Sequence, residues 1–210
     1  MKKANTLTAF DSETGGIYIE QLSKSYGDEL VLNSVSLRLA PGHIYCLMAP
    51  SGTGKTTLFR ILMGLEMADS GNIYGLSEQR ITAVFQENRL LEGYTALENL
   101  RFVTGRLYSN EELTGALTKL LPTDALQKPV CEFSGGMKRR TAILRAILAP
   151  SDFIIMDEPF TGLDAETKQR VIDLILQYTE GKLLLISTHN EEDAELLSAE
   201  IIHLDHASEK

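Results

Sequence analysis

Tryptophan is absent from this sequence, and cysteine occurs only twice, at Cys46 and Cys131. That pair matches no metal-ligand spacing and offers no disulfide framework, which fits a reducing cytoplasm. The four histidines, His43, His189, His203 and His206, are too scattered to suggest a metal site. No apolar run approaches the roughly 18–20 residues needed to cross a bilayer, so any work at a membrane requires another chain to do the spanning. The N-terminus carries Lys2 and Lys3 without an apolar core behind them and does not read as a signal peptide. A basic surplus is missing too: the net charge is −9 and the pI about 5.0, so no overall positive field attracts nucleic acid. The one tight basic cluster is Lys138-Arg139-Arg140, inside an expected helix. Internal repeats and low-complexity tracts are lacking as well.

What is present is a chain of 210 residues with an ordinary 43% of hydrophobic residues, enough for one domain or a domain with an insertion. Residues 1–16 are polar, end in Gly15-Gly16 and read as a loose leader. An extended segment runs from Ile17 to Tyr26. Between Val31 and Leu39, Val35, Leu37 and Leu39 alternate with Ser34, Ser36 and Arg38, as in a half-buried strand. After the Pro41-Gly42 turn, strand character is expected at 44–48, in a short run bracketed by Ser70-Gly71 and Gly75, and at 81–85, 153–156, 183–186 and 201–204. The stretch 87–149 has almost no strand signal. It reads as three helices, beginning near Thr95, Asn110 and Ser134, the second ended by Pro122. Further helices are expected at 166–176 and 191–197. This is an α/β core at 17–86 and 150–210 with a helical insertion at 87–149.

The most informative stretch is 44–60. The apolar run Ile44 to Met48 stops at Ala49-Pro50-Ser51-Gly52-Thr53-Gly54, and Lys55-Thr56-Thr57 opens a helix. A strand, a glycine-rich turn and a helix start suit the phosphates of a nucleotide, because free N–H groups converge there. Lys55 can reach the β- and γ-phosphates as a point charge, and Thr56 can place its hydroxyl on Mg²⁺. The pattern usually begins with glycine. Ala49 holds that place and is tolerable if its φ is negative. Met156-Asp157-Glu158-Pro159 ends a buried strand in two acids. Buried acids need a partner; Mg²⁺ would serve Asp157, and Glu158 could poise a water for attack on the γ-phosphate, unless the pair is simply a solvated strand end. Phe133-Ser134-Gly135-Gly136-Met137 opens a helix where an anion could bind, or where Ser134 is a plain cap.

Together these residues resemble the ATP-binding subunit of the ABC-transporter family, over nearly the whole span from Ile17 to Leu204. The motifs stand in the family's order: Tyr26, the loop 49–57, Gln86, Ser134 to Met137, Ile154 to Glu158, Thr161-Gly162-Leu163-Asp164, and His189 in Ser-Thr-His-Asn. The resemblance implies a P-loop NTPase (RecA-like) core with an antiparallel β-subdomain and an inserted helical subdomain. It implies that Tyr26 stacks on adenine, the alternative being a core tyrosine, and that residues 49–57 hold ATP. Gln86 would touch Mg²⁺ or water and sense the membrane partner. Thr56, Gln86 and Asp157 would form the metal set, and Glu158, His189 and Gln86 the catalytic one. Ser134, Gly135, Gly136, Met137 and Asp164 would act on ATP bound by a second ATPase subunit, most simply an identical one.

Phe133 and Met137 depart from the usual leucine and glutamine of the signature. Met137 with Lys138-Arg139-Arg140, and Gln86 to Leu91, resemble the nitrate, sulfonate and taurine importers. The expectation is therefore an ATP hydrolase at the cytoplasmic face of the membrane, powering import through integral membrane permease subunits, with a solute-binding protein as a further partner. The competing readings are a soluble ABC ATPase acting on nucleic acid or ribosomes, and a nucleotide-dependent regulatory module without turnover. The short stretch between Lys55 and Gln86 implies a trimmed β-subdomain, and no regulatory domain is expected after residue 205. Residues 87–91 and the insertion are expected to form the groove for a permease helix.

Overall fold

A computed structural model describes residues 16–50 and 52–204. Nearly all of the expected leader, and Ser51 of the phosphate loop, lie outside the described residues. Period-2 alternation sets the layers. Strands β1 (Ile17–Tyr26), β2 (Glu29–Leu39) and β4 (Ser70–Tyr74) form an antiparallel sheet in the order β2-β1-β4. Strands β3 (Ile44–Met48), β5 (Ile81–Val84), β6 (Phe153–Asp157), β7 (Leu183–Ser187) and β8 (Glu200–His203) form a second sheet, β5-β6-β7-β3-β8, in which every pairing is parallel.

Helix α1 (Lys55–Leu62) follows β3 and ends where Gly64 turns left-handed at φ 68°. The stretch 87–149 supplies α2 (Ala96–Thr104), α3 (Asn110–Thr118) and α4 (Gly135–Leu148); α5 (Ala165–Tyr178) and α6 (Glu191–Leu196) follow β6 and β7. Thr95 and Ser109 each accept from the N–H three residues on, while Glu98 and Glu112 reach back. These capping boxes fix the helix starts, each cap being worth about 1 kcal/mol. Two single 3₁₀ turns, Thr123–Ala125 and Val130–Glu132, follow Pro122 and Pro129.

The parallel sheet has a core on each face. On one, Tyr45, Leu47, Phe153, Ile155, Leu183 and Leu185 meet α1 and the antiparallel sheet. On the other, Cys46, Met48, Ile154, Met156, Leu184 and Ile186 meet α4 and α5. Cys46 is thus a packing residue, and burial pushes its thiol up to about 12. Strands covered on both sides read as continuous apolar runs, and their C-terminal ends carry the polar residues of the site at one edge of the sheet. Among the described residues no helix is long and apolar enough to cross a membrane.

Candidate functional site: a nucleotide cleft

Helix α1 opens at Gly54, whose backbone lies at φ 89°, ψ 10°. A Cβ there would stand 2.7 Å from Leu32 Cδ2 and 2.9 Å from Val31 O. Conformation and space both demand glycine. The helix start has no side-chain cap and no acid in its first turn, so its dipole is uncompensated where an anion would lie. Lys55 Nζ donates to Ala49 O (2.5 Å) and Pro50 O (3.1 Å), spanning the loop. Burial pushes the Lys55 pKa down, while the Glu158 and Asp157 carboxylates draw it back up. Ala49 is not among the residues with positive φ; it ends the strand and serves through its carbonyl.

At the end of β6, Asp157 is buried with both oxygens engaged. Oδ2 accepts from Thr56 Oγ1 at 2.9 Å and Oδ1 from Ser187 Oγ at 2.7 Å. Ser187 Oγ in turn accepts from the Glu158 N–H at 2.8 Å. Glu158 itself stands at φ 47°, unusual for a residue with a side chain. Its Oε1 lies 2.7 Å from His189 Nε2, and its Oε2 accepts weakly from Thr161 Oγ1 at 3.4 Å. The His189 segment is braced from below: Thr188 Oγ1 donates to buried Asp193 at 2.5 Å, and Lys168 Nζ donates to the other Asp193 oxygen at 2.8 Å.

A cleft of about 260 Å³ is lined by Val31, Gly52, Gly54, Lys55, Thr56, Thr57, Gln86 and Glu158. Gly52, Gly54, Lys55 and Thr57 of the phosphate set, Thr56 and Gln86 of the metal set and Glu158 of the hydrolytic set therefore share one space; Asp157 meets Thr56 and Gln86 in an adjoining cleft of about 150 Å³, and His189 meets Glu158 in another of about 210 Å³. Thr56 and Asp157 offer Mg²⁺ an all-oxygen donor set, with Gln86 in the same cleft. That fits an ion commonly held by one or two carboxylates plus substrate phosphates rather than by a protein cage. None of Ser134 to Met137 lines this cleft. Gly135 faces an adjoining one of about 170 Å³ with Gln86, Asn88, Arg139, Glu158 and Thr161. A Cβ at Gly135 would meet nothing within 4 Å, so internal packing does not require glycine there.

Tyr26 and Asp164 also stand apart from the cleft of about 260 Å³. Tyr26 is 45% exposed at the end of β1, with Lys24 Nζ 5.2 Å from its ring centre; it is no core tyrosine, and it does not line the cleft. Asp164 is the N-cap of α5 and accepts from Thr167 N–H at 2.9 Å, which holds its carboxyl below the usual range. Ser134 likewise caps α4, accepting from Met137 N–H at 3.3 Å. The sequence reading missed Ser187, Thr161, the Lys168–Asp193 brace and Arg139. Ser187 could have been found as the first residue of Ser-Thr-His-Asn, directly after an apolar strand.

Residues 32–161, more than half of the chain, match the ABC transporter family. The chain belongs to that family. This ABC cassette is 36% identical over 197 residues to the aliphatic sulfonates import ATP-binding protein SsuB 1 of Nocardia farcinica, spanning 92% of this chain and 80% of that protein. It is 34% identical over 202 residues to the Nod factor export ATP-binding protein I of Rhizobium sp. (strain N33), spanning 88% of this chain and 66% of that one. Among solved structures it resembles the cassette MJ0796 in a dimeric post-hydrolysis state bound to ADP and Pi. The TM-score is 0.77 at 26% identity, over 90% of this chain and 94% of that one. The ABC cassette described here is an ATP hydrolase with an α/β fold built from a parallel and an antiparallel sheet.

Proposed function

We propose that this cassette hydrolyses ATP with Mg²⁺ between two copies of itself, at the cytoplasmic face of a membrane, to drive import of a solute through integral permease subunits. The observation that carries the reading is the convergence of Lys55, Thr56, Gln86 and Glu158 on one cleft at the end of the parallel sheet. Support for transport comes from the import and export cassettes it resembles. Support for import comes from Met137 and the segment Gln86 to Leu91, which follow the nitrate, sulfonate and taurine importer pattern. A solute-binding protein would accompany such a system.

Charge dictates the chemistry, since phosphoryl transfer needs positioning and neutralisation more than covalent help. Lys55 and the N–H groups opening α1 hold the β- and γ-phosphates. Thr56 and Asp157, with Gln86 beside them, would hold Mg²⁺, which when bound supplies neutralisation across the phosphate oxygens. Glu158 orients a water towards the γ-phosphorus and accepts its proton. The new P–O bond forms as the bond to the β,γ-bridging oxygen breaks, giving inorganic phosphate and ADP. His189 Nε2 positions the Glu158 carboxylate and can donate to a γ-phosphate oxygen in exchange. Ser134 to Met137 reach the ATP held by the other copy, Asp164 lies at that contact, and Tyr26 stacks on the adenine. Hydrolysis removes the group bridging the copies, so they part.

The test is to tag the protein, solubilise membranes gently and identify what co-purifies. A polytopic membrane protein is expected. Only soluble partners, ribosomes or nucleic acid would overturn the transport reading and favour a soluble ABC ATPase.

A further inference from the structure

Arg139 lies on α4, three residues beyond Gly136, and its side chain turns inward: the residue is only 6% exposed. Among the described residues it pairs with no carboxylate. Its guanidinium is spent on main-chain carbonyls from two separate segments. Nη2 donates to Asp157 O (2.7 Å) and Glu158 O (2.6 Å), and Nε to Pro159 O (3.2 Å). Nη1 donates to Phe85 O and, more distantly, to Gln86 O at 3.5 Å. One planar fork therefore ties α4 to the segment that carries Gln86 and to the one that carries Glu158. Burial pushes the Arg139 pKa down, opposed by Asp157 and Glu158.

The grip falls where the backbone is least able to hold itself. Glu158 stands at φ 47°, a left-handed conformation that persists only when its surroundings over-determine it. Its N–H is held by Ser187. Its carbonyl, and those on either side of it, are held by Arg139. Arginine suits the task because five donors spread over a rigid plane reach carbonyls of two separate segments at once, whereas lysine's three donors radiate from one nitrogen.

We infer that Arg139 is a positioning residue for hydrolysis: it holds the Glu158 backbone, and through it the carboxylate, in register with Gln86, and it links that register to the helix opening at Ser134. The inference rests on the reading of Glu158 as the residue that orients the water.

The experiment compares purified full-length R139Q, R139K and E158Q with wild type, measuring ATP affinity with a fluorescent ATP analogue, steady-state kcat, and Tm. Misplacement of a reacting group by a fraction of an ångström to 1 Å costs roughly tenfold to a hundredfold in rate. R139Q should lose about that much kcat while its affinity for the analogue stays close to wild type, and R139K should recover part of the loss. Unchanged kcat in R139Q, or kcat and affinity falling in step with Tm, overturns the inference and leaves Arg139 as core packing. Should R139Q fail to fold, R139K alone is held to the same outcomes: reduced kcat at unchanged affinity supports, unchanged kcat overturns. E158Q separates the two failures. If it turns over ATP like wild type, the reading of Glu158 falls. If it is inactive while both Arg139 variants are fully active, only the role given to Arg139 falls.

Discussion

Glu158 Oε1 and His189 Nε2 are 2.7 Å apart, and they come from the ends of two neighbouring strands, β6 and β7. The pairing depends on Glu158 at φ 47° turning its side chain across the end of the sheet, and on the Lys168–Asp193–Thr188 brace under His189. The two side chains should therefore act as a unit. E158Q and H189A are each expected to lower kcat by about a hundredfold or more, and the double variant should be little worse than the poorer single one. Losses that multiply in the double variant would show independent roles. Steady-state ATPase assays on the three variants decide it.

Arg89 stands at φ 45°, exposed, with its guanidinium 3.7 Å above the Phe85 ring and its carbonyl accepting from Arg145 at 2.8 Å. It stands at one side of a cleft of about 150 Å³ that also holds Thr56, Gln86 and Asp157, between α1 and the segment after β5. Arg89 belongs to the segment 87–91, which with the helical insertion is proposed as the groove for the permease helix. R89E should lower coupled transport by about tenfold or more, through repulsion at the contact, with basal hydrolysis little changed. Transport and ATPase rates falling in step would argue against a docking role.

Asp152 accepts from Arg80 Nη2, Nε and backbone N–H at 2.8, 2.8 and 3.0 Å, pinning the start of β5 to the start of β6. The Arg80 guanidinium, then its backbone N–H, hold the Asp152 carboxyl at about 2, below its ordinary 3.8. The folded state thus binds this proton less readily than the unfolded chain. The stabilisation is fully present above about pH 4 and is lost as the pH falls through 2. Both side chains are more than a third exposed, so the contribution should be about 1 kcal/mol or less. D152N is expected to melt below wild type by a constant margin between pH 5 and 7, the margin narrowing below pH 4. Thermal denaturation across pH 3–7 checks this; a margin that widens in acid would contradict it.

Much of the site was legible because the chemistry is written in adjacent residues. The loop around Gly52 and Gly54, the pair Asp157-Glu158 and the triplet Ser187-Thr188-His189 each follow a short apolar strand, and the parallel sheet gathers those strand ends along one edge. Strands β3, β6 and β7 were legible because burial on both faces leaves an uninterrupted apolar run between polar stops. Arg139 was not, because its partners are main-chain carbonyls, which have no sequence signature, and between Lys138 and Arg140 it read only as one member of a basic cluster on an expected helix. The irregularities of β1, where Gln21 sits at φ 48° and the register shifts between Ile19 and Leu22, were equally silent. Gln21 N–H is met by Ser36 Oγ across the strand pair, a tertiary contact with no local cue. The 3₁₀ turns at 123–125 and 130–132 are too short to carry a period.

The most direct test concerns Glu158 and the closing of two copies around ATP. E158Q and wild type would be compared by light scattering with Mg²⁺ and ATP, alongside ATP turnover. The expected result for E158Q is a species of about twice the mass of the 23.2 kDa chain, persisting because turnover is nearly abolished, while wild type returns to single chains as ATP is consumed. An E158Q variant that hydrolyses ATP at the wild-type rate and never exceeds the mass of one chain would contradict both the role given to Glu158 and the ATP-bridged dimer.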